Sequence, residues 1–263
     1  MKKEEIKRKD LRCSLLKRVI LRADISALMK LEDAISNLSQ QEWFRGIFES
    51  MEKFYTEASS NFADRTSPVA DSQGVEVRRF FDCKLEPKQE LFLDISDEFI
   101  CMDISCNDKY ESLDPYMLLI AKVIGQFIHD NDYVKIKRLA IRKIDGLILA
   151  NANEANKVFE YFNQGIMAEG ESMRKRLYND YFYSKKKKVN VNYSRQVKIG
   201  DKESNRFIFT LDTDVFVKQK DLDNLRPNTD ELKEIFSDRL NEIAFDVFKR
   251  GVKEEFLNEY LRK

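Results

Sequence analysis

Two stretches of the chain repeat the same order of charged and apolar residues. LLKRVILRADISAL begins at Leu15, and VKIKRLAIRKIDGLIL begins at Val134. In both, Lys-Arg is followed by three apolar residues, a further Arg and, one or two residues later, an Asp. The aligned residues stand 120 positions apart: Lys17, Arg18 and Arg22 with Lys137, Arg138 and Arg142. An internal repeat restricts the fold to two similar units that pack together.

The hydrophobic pattern predicts the same succession of elements after each repeated stretch. Alternation predicts a strand at each of them, over Lys17–Leu28 and Val134–Leu149. After the first strand we predict these elements: a helix carrying the apolar residues from Trp43 to Tyr55, a loop over 61–74, a strand over Val75–Leu85, a hairpin over Glu90–Ile104, and a helix with Asp114 as N-cap and Pro115 at its first position. After the second strand we predict these: a helix over Glu154–Ile166, strands over Val189–Ile199 and Phe207–Val217, a helix capped by Asn228-Thr229, and a short helix after Gly251 carrying Phe256, Tyr260 and Leu261.

A second echo supports an internal duplication. LFLDISDEF from Leu91 resembles FTLDTDVF from Phe209, and each precedes a predicted capped helix. We therefore expect an α+β fold made of two duplicated strand-helix-strands-helix halves. The halves would share a mainly antiparallel sheet with helices packed on one face, because each half alone buries little apolar area. The predicted units are a basic lead-in over 1–14, a first repeat over 15–129, a second repeat over 130–250 and a helical tail over 251–263. Chance similarity between two short strands is the alternative.

The composition restricts the compartment and the class of partner. Lys and Arg number 46, and so do Asp and Glu, which argues against a general polyanion binder. Four Cys in 263 residues do not make a disulfide framework. MKKEEIKRKD lacks the apolar core of a signal peptide. The most apolar run, Tyr116 to Ile128, is too short to span a bilayer. These features predict a cytoplasmic protein that does not engage a membrane.

No catalytic or metal-binding motif was found in the sequence. P-loop, GxGxxG, HExxH and GxSxG patterns are absent. His129 follows an apolar helix, where the helix dipole favours it without any catalytic role. The acids Asp94, Asp97, Asp103 and Asp108 could hold Mg²⁺, but the solubility of a hairpin explains them better. We therefore predict no catalytic residue, no metal and no cofactor. A binding role is favoured, and an enzyme such as a nuclease, which would lack its motif here, stays an open alternative.

The segment from Arg174 to Arg206 has the most uneven charge. It holds eleven Lys or Arg residues and three acids, a net charge of +8, so the rest of the neutral chain carries −8. Its candidate binding residues are Arg174, Lys175, Arg176, Lys185, Lys186, Lys187, Lys188 and Arg195. Tyr and Phe residues are interleaved with these cations, a composition that suits nucleic acid. Two alternatives remain: lysines that protect an edge strand from aggregation, and a surface for an acidic protein partner.

A second candidate surface comes from the repeated strands. Arg18, Arg22, Arg138 and Arg142 are predicted to share the less apolar face of the two equivalent strands. Four guanidinium groups on an open sheet face could bind carboxylates or phosphates. The alternative is a solvated face on which these arginines form cross-strand ion pairs with Asp24 or Asp94.

Three stretches resemble a known family. KRLAIRKIDGLIL is similar to the arginine, glycine, leucine, arginine, tyrosine, isoleucine, asparagine strand of a sporadically distributed bacterial family with no established function. RFIFTLDTDVF and LNEIAFDVFKRGVKEEFLNEYL resemble its C-terminal strand and helix. Ala140, Lys143 and Asp145 depart from the glycine, tyrosine and asparagine that are usual there. The resemblance implies patchy inheritance, as expected of mobile or defence-linked genes, and no activity.

These observations predict an interaction protein. The expected role is an accessory subunit of a bacterial complex, linked to defence or toxin control, with a protein partner. The alternative is a nucleic-acid-binding protein that uses the basic segment from Arg174 to Arg206.

Overall fold

The structure is a computed structural model that describes residues 5–7, 15–26, 30–56, 74–86, 89–107, 110–150, 154–160, 175–201 and 206–259. Within these ranges the strands are β1 (Leu16–Ile25), β2 (Phe48–Thr56), β3 (Val75–Cys83), β4 (Glu90–Ile95), β5 (Phe99–Ser105), β6 (Ile136–Leu149), β7 (Lys175–Ser184), β8 (Val189–Asp201) and β9 (Arg206–Lys218). The helices are α1 (Leu31–Gln40), α2 (Glu42–Arg45), α3 (Asp114–Asp130), α4 (Ala155–Val158), α5 (Thr229–Glu234), α6 (Glu242–Gly251) and α7 (Glu254–Glu259). A 3-10 turn (Gln219–Asp221) follows β9, and a π-helical segment (Ile235–Asn241) joins α5 to α6.

All nine strands belong to one sheet in which every neighbouring pair is antiparallel. The order is β2-β3-β4-β5-β1-β6-β9-β8-β7. From each of the central strands β1 and β6, the chain crosses to an outer edge and returns strand by strand. The first half has one strand more than the second. The α+β class and the mainly antiparallel sheet are therefore confirmed in the described residues, whereas the duplication stays a prediction.

The repeated stretches form the middle of the sheet. In β1, Val19, Leu21 and Ala23 are fully buried, and across the β1–β6 register Leu21 faces Ile141. These residues lie on the core face of the sheet, where they share one apolar cluster with the buried side chains of α3. The second echo is different: Leu93-Asp94 lies in β4, two strands from β1, whereas Leu211-Asp212 lies in β9, beside β6. The two Leu-Asp pairs therefore do not occupy equivalent places.

α3 is buried on nearly every side, as its sequence predicts. Its buried residues include Met117, Ile120, Ile124 and Phe127, and it contacts α1, α5 and β1. The helix begins at Asp114 itself, whose N–H donates to Ser112 Oγ at 3.1 Å, so the predicted N-cap is wrong by one position. Packing of the helices on one face of the sheet stays a prediction.

One predicted helix is wrong. The apolar residues between Trp43 and Tyr55 suit a helical period, yet α2 ends at Arg45 and Phe48–Thr56 is strand β2. Pairing with β3 overrides the local pattern, for example where Met51 faces Phe80.

Other predictions had mixed outcomes. The predicted cap of α5 is confirmed, because Asn228 and Glu231 form a reciprocal capping box. α6 ends at Gly251, and α7 follows it with Phe256. Several predictions fall outside the described residues: most of the 1–14 lead-in, most of the 61–74 loop, Tyr260 and Leu261. Of the predicted helix over Glu154–Ile166, residues 161–166 are also outside, and in the described part α4 ends at Val158, before Phe159 forms a β-bridge with Val252.

Replacing buried α3 residues should destabilise the fold. Ile124 is 0% and Phe127 1% exposed, so Ile124→Ala or Phe127→Ala should lower the free energy of unfolding by about 2–5 kcal/mol. Lys122 is exposed and places Nζ 5.7 Å from the centre of the Trp43 ring, so Lys122→Ala should cost less than about 1 kcal/mol. Urea unfolding of the three variants tests this, and equal losses would show that the buried side of α3 is misassigned.

Candidate functional site

The four repeated arginines lie on one face of the sheet. The β1–β6 register places Arg18, Arg22, Arg138 and Arg142 on the side opposite to Leu21 and Ile141. We call this side the arginine face. Strand alternation and the pairing of β1 with β6 together bring the four arginines onto this one face.

Each of these arginines has a carboxylate partner within the same sheet. Arg18 donates to Asp103 through two hydrogen bonds of 2.7 and 2.6 Å. The other pairs are Arg22 with Asp24 at 2.6 Å, Arg138 with Asp214 at 2.9 Å, and Arg142 with Asp212. Neighbouring β3 and β4 extend the row through Arg79 and Asp94 at 2.7 Å. An added anion at this face would therefore compete with carboxylates that are already in place.

Aromatic rings lie beneath two of these guanidinium groups. Arg22 lies 4.5 Å from the centroid of Phe99, and Arg138 lies 4.3 Å from that of Phe216. The two rings are only 6% and 8% exposed. The arginines thus cover apolar surface as well as pairing with acids, so they stabilise this face through packing and charge together.

Burial shifts the pKa values of both members of one ion pair, Arg138 and Asp214. Desolvation raises the pKa of the Asp214 carboxyl to about 6, although Arg138 and Arg142 act in the opposite direction. Burial likewise lowers the pKa of the Arg138 guanidinium, against the effects of Asp214 and Asp24. The pair is therefore less stabilised by charge than its short distance suggests.

The basic segment forms a hairpin at one end of the sheet. Lys175 and Arg176 begin β7, Lys185–Lys188 make the turn and Arg195 lies in β8. Arg174 lies outside the described residues. β7 is the last strand in the sheet order and therefore an edge strand. The four lysines lie in the turn that follows it, not along the strand.

Two of the turn lysines bind acids of the same chain. Lys187 Nζ lies 3.2 Å from Glu242 Oε2, and Lys188 Nζ lies 3.2 Å from Asp223 Oδ1. Arg239 donates to the backbone oxygens of both lysines, at 2.7 and 2.9 Å. Lys185 and Lys186 are exposed and have no carboxylate partner in the part of the chain that the structure describes. The free positive charge of the turn is therefore concentrated on these two residues.

Arg195 is separate from this exposed surface. It lies on the core face of β8 and is 9% exposed. It donates to Asp180 at 2.8 Å and lies 5.5 Å from the centroids of Tyr178 and Tyr193. The alternation of Val191, Tyr193, Arg195 and Val197 is the sequence signal for this position.

Exposed apolar side chains lie along β7. Leu177, Tyr181 and Tyr183 are 50%, 62% and 42% exposed and stand at alternate positions, on the same side of the sheet as the arginine face. Tyr181 donates to Asn190 and Tyr183 to Asp221, at 2.8 and 2.9 Å. Sequence reasoning identified the tyrosines among the cations but missed Leu177, whose exposure depends on β7 being an edge.

The remaining candidates occupy separate places. His129 is exposed in the last turn of α3, with Nδ1 3.1 Å from Asp130. Asp97 lies in the β4–β5 turn, and Asp108 is outside the described residues. Across the described ranges, no three His, Cys, Asp or Glu side chains are grouped as a metal site would require. Nor does any helix there have the length and apolar character needed to cross a membrane.

Comparison with known proteins gave no match to a family model, a curated protein or a solved structure. The two polar positions that depart from the resembled family are buried on the core face. Lys143 is 4% exposed and donates to Asn241 in the π-helical segment, and Asp145 is 8% exposed. Neither is part of the arginine face or the hairpin surface.

The raised pKa of Asp214 predicts a pH effect on stability. An unfolded Asp has a pKa near 3.9, so the folded chain holds this proton more tightly, and the group's contribution to stability falls as pH rises from about 4 to about 6. Asp214→Asn has no proton to lose. The free energy of unfolding of the parent should therefore fall by roughly 1–3 kcal/mol relative to the variant across that window. Urea unfolding at pH 4, 5 and 6 tests this, and a constant or growing difference in favour of the parent would contradict it.

Proposed function

We propose that this protein acts by binding another protein through the β7–β8 hairpin, as a non-enzymatic accessory subunit of a cytoplasmic bacterial complex. The observation that carries the proposal is the row of exposed Leu177, Tyr181 and Tyr183 along β7, a strand that leads into the turn with the exposed Lys185 and Lys186. Protein interfaces have aromatic and apolar centres with a polar rim. A defence or toxin-control role rests only on the family resemblance.

The charges around the hairpin favour a protein over a nucleic acid. Asp223, Glu242 and Asp180 have side chains that are 84%, 59% and 56% exposed. Carboxylates at these places would repel the unbroken charge of a phosphate backbone, whereas a protein can place its own acids at Lys185 and Lys186 alone and present Lys or Arg to these carboxylates. Since Lys187 and Lys188 already bind two of these acids, only Lys185 and Lys186 of the turn remain for phosphates.

We also propose that the two halves arose by internal duplication, with a pseudo-two-fold axis between β1 and β6. Leu21 and Ile141 face each other and stand 120 positions apart, the spacing of the sequence repeat. Equivalent residues face each other in this way when a two-fold axis passes between two antiparallel strands. In each half, the chain crosses to an outer edge of the sheet and returns strand by strand, and this shared path also supports a duplication.

The two free lysines should matter more for binding than the two paired ones. Lys185→Ser with Lys186→Ser should weaken capture of the partner and flatten its salt dependence, because this pair supplies the free charge. The matched double variant, Lys187→Ser with Lys188→Ser, should keep more of the binding. The Tm of the first variant should match that of the parent, because exposed lysines contribute little to stability. The measurement is a pull-down with the tagged full chain at two salt concentrations, with mass spectrometry of bound proteins and sizing of bound nucleic acid.

The same experiment tests the nucleic-acid alternative. Single-stranded RNA and duplex DNA are added to the purified chain at both salt concentrations. Binding to nucleic acid alone, with a log–log salt slope of about 0.9 per phosphate contact on the duplex, would replace the proposal. Equal binding of every partner by the parent and the Lys185/Lys186 variant would remove the hairpin from the proposal.

A further inference from the structure

Among the strands that the structure describes, none pairs with the outer edge of β7. Strand β7 runs for ten residues, Lys175–Ser184, and ends the sheet order. Within the described ranges, no backbone hydrogen bond reaches β7 from outside the sheet. Alternate residues of such a strand point their N–H and C=O groups outward, which makes the edge a template for a further strand.

The opposite edge of the sheet differs from β7 in its charge. β2 carries Glu49, Glu52 and Lys53, which are exposed charges of the kind that protects an edge strand. Over 177–184, β7 has Asp180 as its only charged residue, and that carboxylate binds Arg195. Several protective charges thus lie along β2, whereas the middle of β7 carries only Asp180, which is paired with Arg195.

An added strand would find apolar side chains on both sides of β7. Leu177, Tyr181 and Tyr183 are exposed on one side. On the other side, Tyr178 and Phe182 are half-buried and pack against the core. The incoming strand would therefore extend the sheet hydrogen bonding and also cover apolar area through its alternate residues.

Positive charge stands at both ends of β7. Lys175 and Arg176 begin the strand, and Lys175 is opposite the exposed Lys198 in the register with β8. Lys185 and Lys186 follow its other end. A partner strand that is acidic at both ends would meet cations whether it runs parallel or antiparallel to β7.

The same charges disfavour a second copy of this chain. In an antiparallel β7–β7 pair, Lys175 and Arg176 of one copy would lie beside Lys185 and Lys186 of the other, at both ends. In a parallel pair, each basic end would lie beside its own equivalent. Like charges at this spacing oppose both arrangements.

We propose that β7 accepts a strand from a different protein: an extended segment of alternating apolar residues with Asp or Glu at both ends. This inference rests on the proposed function and names the binding mode and the chemistry of the partner. Backbone hydrogen bonds supply the affinity, and the terminal acids select the segment.

The test uses synthetic peptides and the full chain. The probe is a fluorescein-labelled peptide of sequence Glu-Asp-Val-Thr-Val-Thr-Val-Thr-Val-Thr-Asp-Glu, titrated with protein by fluorescence anisotropy. A matched peptide with four Lys in place of the acids should bind at least about tenfold more weakly at low salt, and the difference should shrink as salt increases. Equal binding of the two peptides, or no binding of the acidic one, would overturn the proposal.

Two further peptides test the backbone contact. Each is N-methylated on one of the two alternate sets of amides in the central segment. One set faces β7 and the other faces away, so methylation of one set alone should abolish most of the binding. Equal affinities of the two methylated peptides would show that no strand is added.

A pair of protein variants locates the contact. Leu177→Ser should weaken binding of the acidic peptide severalfold, whereas Met51→Ser, an exposed apolar residue on β2, should not. Circular dichroism confirms that both variants are folded. If the Lys185/Lys186 variant loses its protein partner but the peptide tests fail, strand addition is wrong and the proposed function stands. If the peptide tests succeed and no protein is captured through the hairpin, the proposed function is the part that fails.

Discussion

The antiparallel pairing of β1 with β6 is the contact on which the rest of the fold depends. It joins the two halves into one sheet and places Leu21 against Ile141 in the core beneath α3. The same register brings the arginines of both halves onto the opposite face. On their other sides, β6 pairs with β9 and β1 pairs with β5, so that β2 and β7 are the two outer edges of the sheet. The hairpin surface therefore lies at an outer edge of the sheet, three strands away from this central pairing.

The arginine face stabilises the sheet and offers little to an added ligand. Arg18 and Arg138 are each held by a carboxylate of a neighbouring strand, and Arg138 also covers the ring of Phe216. Burial opposes the charged forms of Arg138 and Asp214, so the row combines ion pairing with packing rather than strong Coulomb attraction. The hairpin differs, because some of its cations and apolar groups remain exposed to solvent.

Local patterns predicted the regular elements, and their failures have identifiable causes. Alternation located β1, β6, β8 and β9, and the Asn228 cap located α5. The residues of β2 fit a helical period equally well, and only their pairing with β3 decides the structure. The shared face of Arg18 and Arg142 was predictable from the repeat. Their partners were not, because Asp103 and Asp212 become neighbours only once the strand order is known.

The basic segment shows the same division between local and long-range information. Its net charge follows from the sequence, but the cations that stay free are decided by distant residues. Glu242 and Asp223 follow the turn by tens of residues and bind Lys187 and Lys188. Composition could not separate these two from Lys185 and Lys186.

The most direct test of protein binding by the hairpin is hydrogen–deuterium exchange of the full chain, measured alone and bound to the protein that it captures. We expect slower exchange over 175–188 in the complex, with little change over β2. Unchanged exchange over 175–188, with slowing confined to the arginine face or to β2, would contradict it.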